Sequence, residues 1–200
     1  MIKNIVFDIG NVLVAFKPGE YVKSFGFEKS VEDKVLEAIF KSRHWPELDR
    51  GVLTEEEAVE LFIKEAEELD LEIRNVMKSW KDMLIPIPDT IEILRELKNK
   101  GYKVYVLSNY HEKAFEKISI ENDFLSLLDG EIVSCRLKYI KPEREIYEYL
   151  LSNYCLKPEE TLFIDDVIEN IEGAEVHGIK TVLFQGSAEL RKYLYENNIL

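Results

Sequence analysis

Sulfur, glutamine and positive charge are all scarce in this chain. Its two cysteines, Cys135 and Cys155, form no Cys-x-x-Cys pair, so neither a zinc site nor a disulfide framework is indicated. Both are expected as buried thiols in a reducing compartment. Gln185 is the only glutamine while Glu and Lys dominate the charged residues, a balance that suits heat adaptation. No apolar run approaches the length of a membrane-spanning helix. The N-terminal run is too short for a signal peptide and contains Asp8, which predicts a cytoplasmic protein. With 26 Lys and Arg against 39 Asp and Glu, the net charge is -13. That argues against nucleic acid or an anionic membrane as partner, because phosphate backbones select basic surfaces. A small phosphorylated ligand stays open, since a metal or one local cation holds a phosphate in an acidic protein. Internal repeats and low-complexity tracts are absent.

The 200 residues suffice for one substantial domain, or for a core with a smaller insertion. The stretch Met1 to Val14 organises the rest. Ile5-Val6-Phe7 is an unbroken apolar run that stops at Asp8, the pattern of a strand buried on both faces of a parallel sheet. Asp8 then stands at the carboxyl end of that strand, where open α/β sheets bind ligands. A carboxylate there serves as nucleophile, metal ligand or both; the plainer reading is an Asp that caps the next turn.

From Tyr21 to about Leu84 the periodicity is helical. Ser30 begins one pattern, through Val35-Leu36 and Ile39-Phe40. Thr54 begins a second with Glu57 as a capping box, and Ala58, Leu61, Phe62 and Ala66 share its apolar face. A third runs from about Leu71 to Trp80. Residues 16–86 are therefore expected to form an inserted helical cap, closed by the stiff return Ile85-Pro86-Ile87-Pro88. Residues 1–15 and 87–200 would form the core. There, Asp89 is expected to cap a helix that ends at Gly101. Strands near 103–107, 131–134, 161–164 and 181–184 alternate with helices near 111–118, 142–151, 168–177 and 188–197, with Pro142 at a first helical position. This alternation predicts an α/β fold: a Rossmann-like parallel sheet core with an inserted helical-bundle cap.

Polar groups recur at the strand ends: Asp8, Ser108-Asn109 and Asp165-Asp166, with Lys141 after the strand near 132. A parallel sheet brings such ends to one edge. The residue types suit phosphoryl transfer. Asp8 and Asp166 are hard oxygen donors for Mg2+, which would offset their repulsion of a phosphate. Asp8 can attack phosphorus, while Ser108, amides near Asn109 and Lys141 bind the equatorial oxygens. Singly, each has an ordinary reading as turn, helix start or loop; their convergence favours chemistry.

These residues resemble the haloacid dehalogenase superfamily of hydrolases. The matching pieces are Phe7-Asp8-Ile9-Gly10-Asn11-Val12, Val106-Leu107-Ser108-Asn109, Lys141-Pro142, and Phe163-Ile164-Asp165-Asp166 through Asn170 to Ala174. They span the core from end to end, and the helical segment lies where the family carries its type-one cap. The resemblance implies an Mg2+-dependent phosphatase of small phosphorylated metabolites that works through an aspartyl phosphate at Asp8. It implies Asp8, the Gly10 carbonyl, Asp166 and Asp165 around the metal, with Asn170 in support. Phosphate would meet Ile9, Gly10, Ser108, Asn109 and Lys141, the last a catalytic clamp.

Gly10 departs from the pattern. Family phosphatases usually carry a second Asp there as general acid, a role typically worth about 10^2- to 10^4-fold. Its loss favours a leaving group that needs little protonation, such as a sugar 1-phosphate or an acyl phosphate, and Phe-Asp-x-Gly-Asn-Val resembles a subgroup with bacterial glucose-1-phosphate phosphatases. Asn11, Asp165 or a cap residue is left to orient the hydrolytic water. A metal-independent 2-haloacid dehalogenase and a non-catalytic phosphosugar-binding protein are the alternatives. Within the cap, the irregular stretch Arg43–Gly51 is expected to read the substrate through His44, Trp45 and Arg50, with Phe16 at the hinge; the plainer reading is a solvated connection with Trp45 as packing. His111 is expected at the surface, and His177 at a helix end.

Overall fold

Ile5, Val6 and Phe7 are fully buried because their strand lies at the centre of the sheet. The computed structural model describes residues 1–200. β1 (Asn4–Phe7) leads through a short β2 (Val14–Ala15) to five helices: α1 (Pro18–Lys23), α2 (Lys29–Ala38), α3 (Trp45–Arg50), α4 (Glu55–Glu65) and α5 (Asp70–Ser79). β3 (Ile85–Pro86) brings the chain back to α6 (Pro88–Asn99), β4 (Lys103–Ser108) and α7 (Glu112–Glu121). Then come β5 (Gly130–Val133), α8 (Ser134–Leu137), α9 (Arg144–Asn153), β6 (Thr161–Asp165), α10 (Ile168–Val176), β7 (Lys180–Leu183) and α11 (Ser187–Glu196). The main sheet has five parallel strands in the order β5-β4-β1-β6-β7.

Alternation along the strands divides the core. Ile5, Phe7, Val104, Val106, Leu162 and Ile164 cluster with Ile93, Leu97, Leu190 and Leu194 of α6 and α11. Val6, Tyr105, Leu107 and Phe163 point the other way, toward Ile146, Tyr147 and Leu150 of α9 and Ile171 and Ala174 of α10. Both faces are covered, which is why the strands read as apolar runs. The first cluster also continues through Val12, Leu13 and Val14 into Val22, Val35, Phe62, Ile73 and Trp80 of the inserted helices. Each such fully buried side chain contributes roughly 1.5–3 kcal/mol, so the helical segment is joined to the sheet by packing as well as by the chain. Phe7 is level with Val106 and Ile164, which puts the ends of β1, β4 and β6 side by side.

The Thr54 capping box is present: Glu57 N–H donates to Thr54 Oγ1 at 3.1 Å, and Thr54 N–H donates to the Glu57 carboxylate at 2.8 Å. Other expectations are corrected. Ile85-Pro86 is a strand, paired antiparallel with Val14-Ala15, so the two crossings between sheet and helices run as one ribbon. Asp89 does not cap α6; Pro88 opens that helix after Ile87, with no side-chain cap. Pro142 lies in a turn, joined to Lys141 by a cis peptide bond, and α9 starts two residues later. The stretch at 43–51 is no irregular loop, since α3 begins at Trp45 with Pro46 in its first turn, and Gly51, at φ 75°, closes it in the left-handed region. Cys135 is buried as expected, but Cys155 is exposed. His111 is 5% exposed and stacks on Trp80 with centroids 4.5 Å apart, because the loop after β4 lies beneath the inserted helices. No helix is long and apolar enough to cross a membrane.

Candidate active site

Asp8 is fixed at the end of β1 by its N–H, which donates to the Ile164 carbonyl at 2.8 Å. Ser108, the last residue of β4, donates its hydroxyl to Asp8 Oδ1 at 2.6 Å. Lys141 Nζ lies 2.8 Å from the same oxygen and 2.5 Å from Asp165 Oδ2. Asn109 holds the lysine's main chain: its amide donates to the Lys141 carbonyl at 2.9 Å and accepts from the Lys141 N–H at 2.7 Å. Its side-chain amide is thus committed to positioning Lys141, though Asn109 also lines the cavity described below.

The paired acids differ sharply. Asp165 is fully buried and accepts from Val167 N–H at 2.8 Å, from Asn170 Nδ2 at 3.0 Å and from Lys141. It orients the lysine. Asp166 is half-buried, and its one side-chain partner is Asn11 Nδ2 at 3.2 Å. Asn11 itself sits at φ 53°, and its Oδ1 accepts from Phe16 N–H at 3.0 Å. Carboxylate oxygens of Asp8, Asp165 and Asp166 lie within 4.8 Å of one another. Asp166 keeps the most unused acceptor capacity of the three, and carboxylate oxygens are the donors that Mg2+ takes.

Burial pushes the Asp8 carboxyl up to about 6, with the charge of Asp165 adding and Lys141 and Ser108 opposing. Burial works against the charge on Lys141, yet Asp8 and Asp165 override it and raise the ammonium above its ordinary value. Asp166 is raised by burial and by the charge of Asp165. Three acids face one lysine, so a divalent cation would balance the cluster.

Beside this cluster is a cavity of about 110 Å³. Gly10, Asn109, Tyr110 and His111 line it from the core, and Phe16, Trp45, Asp49, Trp80 and Leu84 from the inserted segment and its hinge. Trp45 packs edge-on to Trp80 at 5.2 Å and tilts against Phe16 at 5.8 Å. Two buried polar atoms, Tyr110 OH and His111 Nε2, have no partner. An unmet buried hydrogen-bonding group costs roughly 1–3 kcal/mol, which marks both as groups for a ligand or a water.

The structure thus brings together Asp8, Ser108, Asn109, Lys141, Asp165 and Asp166, with Gly10 on the cavity wall. The Ile9 side chain is fully buried in the core, and only its backbone borders the site. Of the three cap candidates, Trp45 lines the cavity. His44 Nε2 instead bonds Glu65 at 3.0 Å, and Arg50 forks onto Glu143 with two 2.7 Å bonds. Sequence reasoning included Asp49 in the 43–51 stretch without singling it out, placed His111 at the surface, and missed Tyr110. Tyr110 and His111 directly follow Ser108-Asn109, a signal that was available; for Asp49 only its place beside Arg50 hinted.

A parallel sheet with acids and a lysine gathered at its carboxyl edge, and helices inserted after the first strand, is the arrangement of a hydrolase of one large class. The chain belongs to the haloacid dehalogenase-like hydrolase family, whose sequence model matches residues 2–178. It is similar to the D-ribitol-5-phosphate phosphatase of Bacteroides thetaiotaomicron, at 28% identity over 209 residues covering 97% of each chain. It is also similar to the sesquiterpene phosphatase astK of Aspergillus oryzae, at 27% identity over 177 residues, 88% of this chain and 87% of that one. Among solved structures, a haloacid dehalogenase family enzyme of B. thetaiotaomicron in complex with magnesium and inorganic phosphate matches with a TM-score of 0.69 at 26% identity, over 91% of this chain and 93% of that one.

Proposed function

We propose that this protein is an Mg2+-dependent phosphatase of small phosphorylated metabolites, acting through an aspartyl phosphate at Asp8. One observation carries the reading: Asp8 shares Lys141 with Asp165 and lies with Asp166 inside one 4.8 Å cluster. Ser108 and Lys141 both engage Asp8 Oδ1. Oδ2 is left facing the Gly10 side, 3.9 Å from where a Cβ on that glycine would stand. That oxygen is placed to attack phosphorus, while Ser108 and Lys141 take up the equatorial oxygens of the transferring group. Mg2+ held by Asp8, Asp166 and the Gly10 carbonyl would supply positive charge against the phosphate. The relatives named phosphatases, and the neighbour with magnesium and phosphate, support the same reading.

Residues 16–86 act in this proposal as a cap that opens and closes on the β2–β3 ribbon and excludes water during attack. The cavity is small against the roughly 300–1,000 Å³ of typical ligand pockets, which favours a compact leaving group. Tyr110 OH and His111 Nε2 suit a hydroxylated one, such as a sugar or polyol, in a cavity that Trp45 and Trp80 also line. Glycine at position 10, taken alone, favours an ester that leaves readily, a sugar 1-phosphate among them.

Phosphate release from sugar phosphates, nucleotides and acyl phosphates tests the reading, with Mg2+ and with chelator. Turnover of at least one sugar phosphate is expected, lost on chelation and abolished in Asp8→Asn with the circular dichroism spectrum unchanged. Chelator-insensitive halide release from 2-haloacids would instead establish a dehalogenase. Saturable sugar-phosphate binding without turnover would establish a binding protein.

A further inference from the structure

The glycine at position 10 removes one acid from the site, and the inserted helices bring another. We propose that Asp49, in the last turn of α3, is the acid–base residue of the reaction, giving its carboxyl proton to the leaving oxygen and then taking one from the attacking water. The proposal rests on the phosphatase reading and names the group that completes it.

Position is the first argument. Asp49 lines the same cavity as Gly10 and Tyr110. Three successive residues fix it there. Ser134 Oγ accepts from Tyr110 N–H at 2.9 Å and donates to the Asp49 carbonyl at 2.6 Å, which ties the acid's main chain to the loop that follows β4. Arg50 forks onto Glu143, two residues past Lys141. Gly51 lies against α8: its carbonyl accepts from Lys138 Nζ, and a Cβ there would stand 2.6 Å from the Cys135 carbonyl. The end of α3 is therefore clamped to the core beside the cluster around Asp8, far more tightly than a solvated connection requires.

Chemistry is the second. The Asp49 carboxyl, partly buried on the cavity wall, accepts no hydrogen bond and pairs with no cation, and it lies in the field of Asp8. Withdrawing an ionised carboxylate from water without a partner disfavours its charged form. Both influences hold the Asp49 carboxyl above the usual carboxylate range, the direction that suits a proton donor to a departing alkoxide. Tyr110 lines the same cavity as Asp49, and its hydroxyl is raised by burial and then by the charges of Asp49 and Asp8.

The protons and bonds balance. As Asp8 bonds to phosphorus, the bond from phosphorus to the leaving oxygen breaks, and the Asp49 proton converts the departing alkoxide to an alcohol. Water then attacks the aspartyl phosphate and passes a proton to the Asp49 carboxylate. The bond from phosphorus to Asp8 breaks, inorganic phosphate forms, and both carboxyls return to their starting states. With this acid in place the substrate need not carry an activated leaving group, and ordinary alkyl phosphates such as polyol phosphates come within reach.

The test compares a polyol phosphate with acetyl phosphate, whose leaving group needs no proton, and adds a series of aryl and alkyl phosphates of graded leaving-group acidity. In the unaltered protein kcat/KM should vary little along the series. Asp49→Asn should lower kcat/KM, which reports only the steps up to the aspartyl phosphate, by about 10^2- to 10^4-fold for the polyol phosphate and far less for acetyl phosphate, while kcat falls for both because the water has lost its base. Gly10→Asp in the same chain should restore part of the loss, since a Cβ at position 10 would meet nothing nearer than Asp8 Oδ2 at 3.9 Å. A fall in kcat/KM shared equally by both substrates in a variant that melts normally overturns the role of Asp49. So does a steep leaving-group dependence in the unaltered protein, a measurement that needs no variant to fold. Failure of the unaltered protein to release phosphate from any of these substrates overturns the phosphatase reading, and this role with it.

Discussion

His111 shows how one side chain can be read wrongly from its neighbours in sequence. It follows a strand and opens a helix, a surface setting, yet it is sandwiched against Trp80 and near Trp45. Burial lowers its imidazole to about 4, with Lys81 adding and Glu55 opposing. The folded protein therefore holds the ring neutral, while the unfolded chain protonates it near 6.5. Stability present above pH 6.5 is lost as the pH falls through the window down to about 4, and between pH 7 and pH 5 the loss attributable to this ring is roughly 2 kcal/mol. Urea denaturation at the two pH values should show that loss in the native sequence and a smaller one in His111→Gln; equal losses would contradict the buried neutral ring. Residues such as Asp8, Ser108, Lys141, Asp165 and Asp166 were legible because each stands in a short string whose chemistry and strand-end position can be read locally. Asp49 and Tyr110 were not. Their roles depend on which helix lies over which loop, a matter of packing that no local string records.

At the scale of elements, the contact of α3 with α8 joins the inserted helices to the core beside the cavity. It is built from the Ser134 bridge and the close approach of Gly51 to Cys135, and the Arg50–Glu143 fork extends it to the residue before α9. Both members of the fork keep some exposure, 21% for Arg50 and 35% for Glu143, so its contribution to stability is modest, about 1 kcal/mol or less. Its effect should be local. Arg50→Ala is expected to speed amide hydrogen exchange in α3 while α4, held by the Thr54 capping box, keeps its protection; unchanged exchange in α3 would show that the fork does not hold the helix down. α4 was legible because a capping box and a long apolar face both announce it. α3 spans six residues, too few for periodicity to register. The β2–β3 ribbon was hidden for a related reason: two residues on each side pair across 69 intervening positions, 16 to 84, and the prolines read only as a stiff return.

For the whole molecule, the alternation of strands and helices foretold a parallel sheet, although the order β5-β4-β1-β6-β7 came only with the structure. One apolar cluster of 38 buried residues runs from the sheet into the inserted helices, so the site is formed where two packed layers meet. The net charge of -13 is compatible with a phosphorylated substrate because Lys141 and the proposed Mg2+ concentrate positive charge at one point. The claim on which all of this turns is that phosphorus is carried on Asp8. Rapid acid quench of the protein turning over a phosphate ester with Mg2+, followed by mass spectrometry of its peptides, tests that claim most directly. A phosphorylated peptide containing Asp8 is predicted, present during turnover and absent with chelator. Turnover with the Asp8 peptide unmodified at every quench time, or the phosphoryl group on another residue, would contradict it.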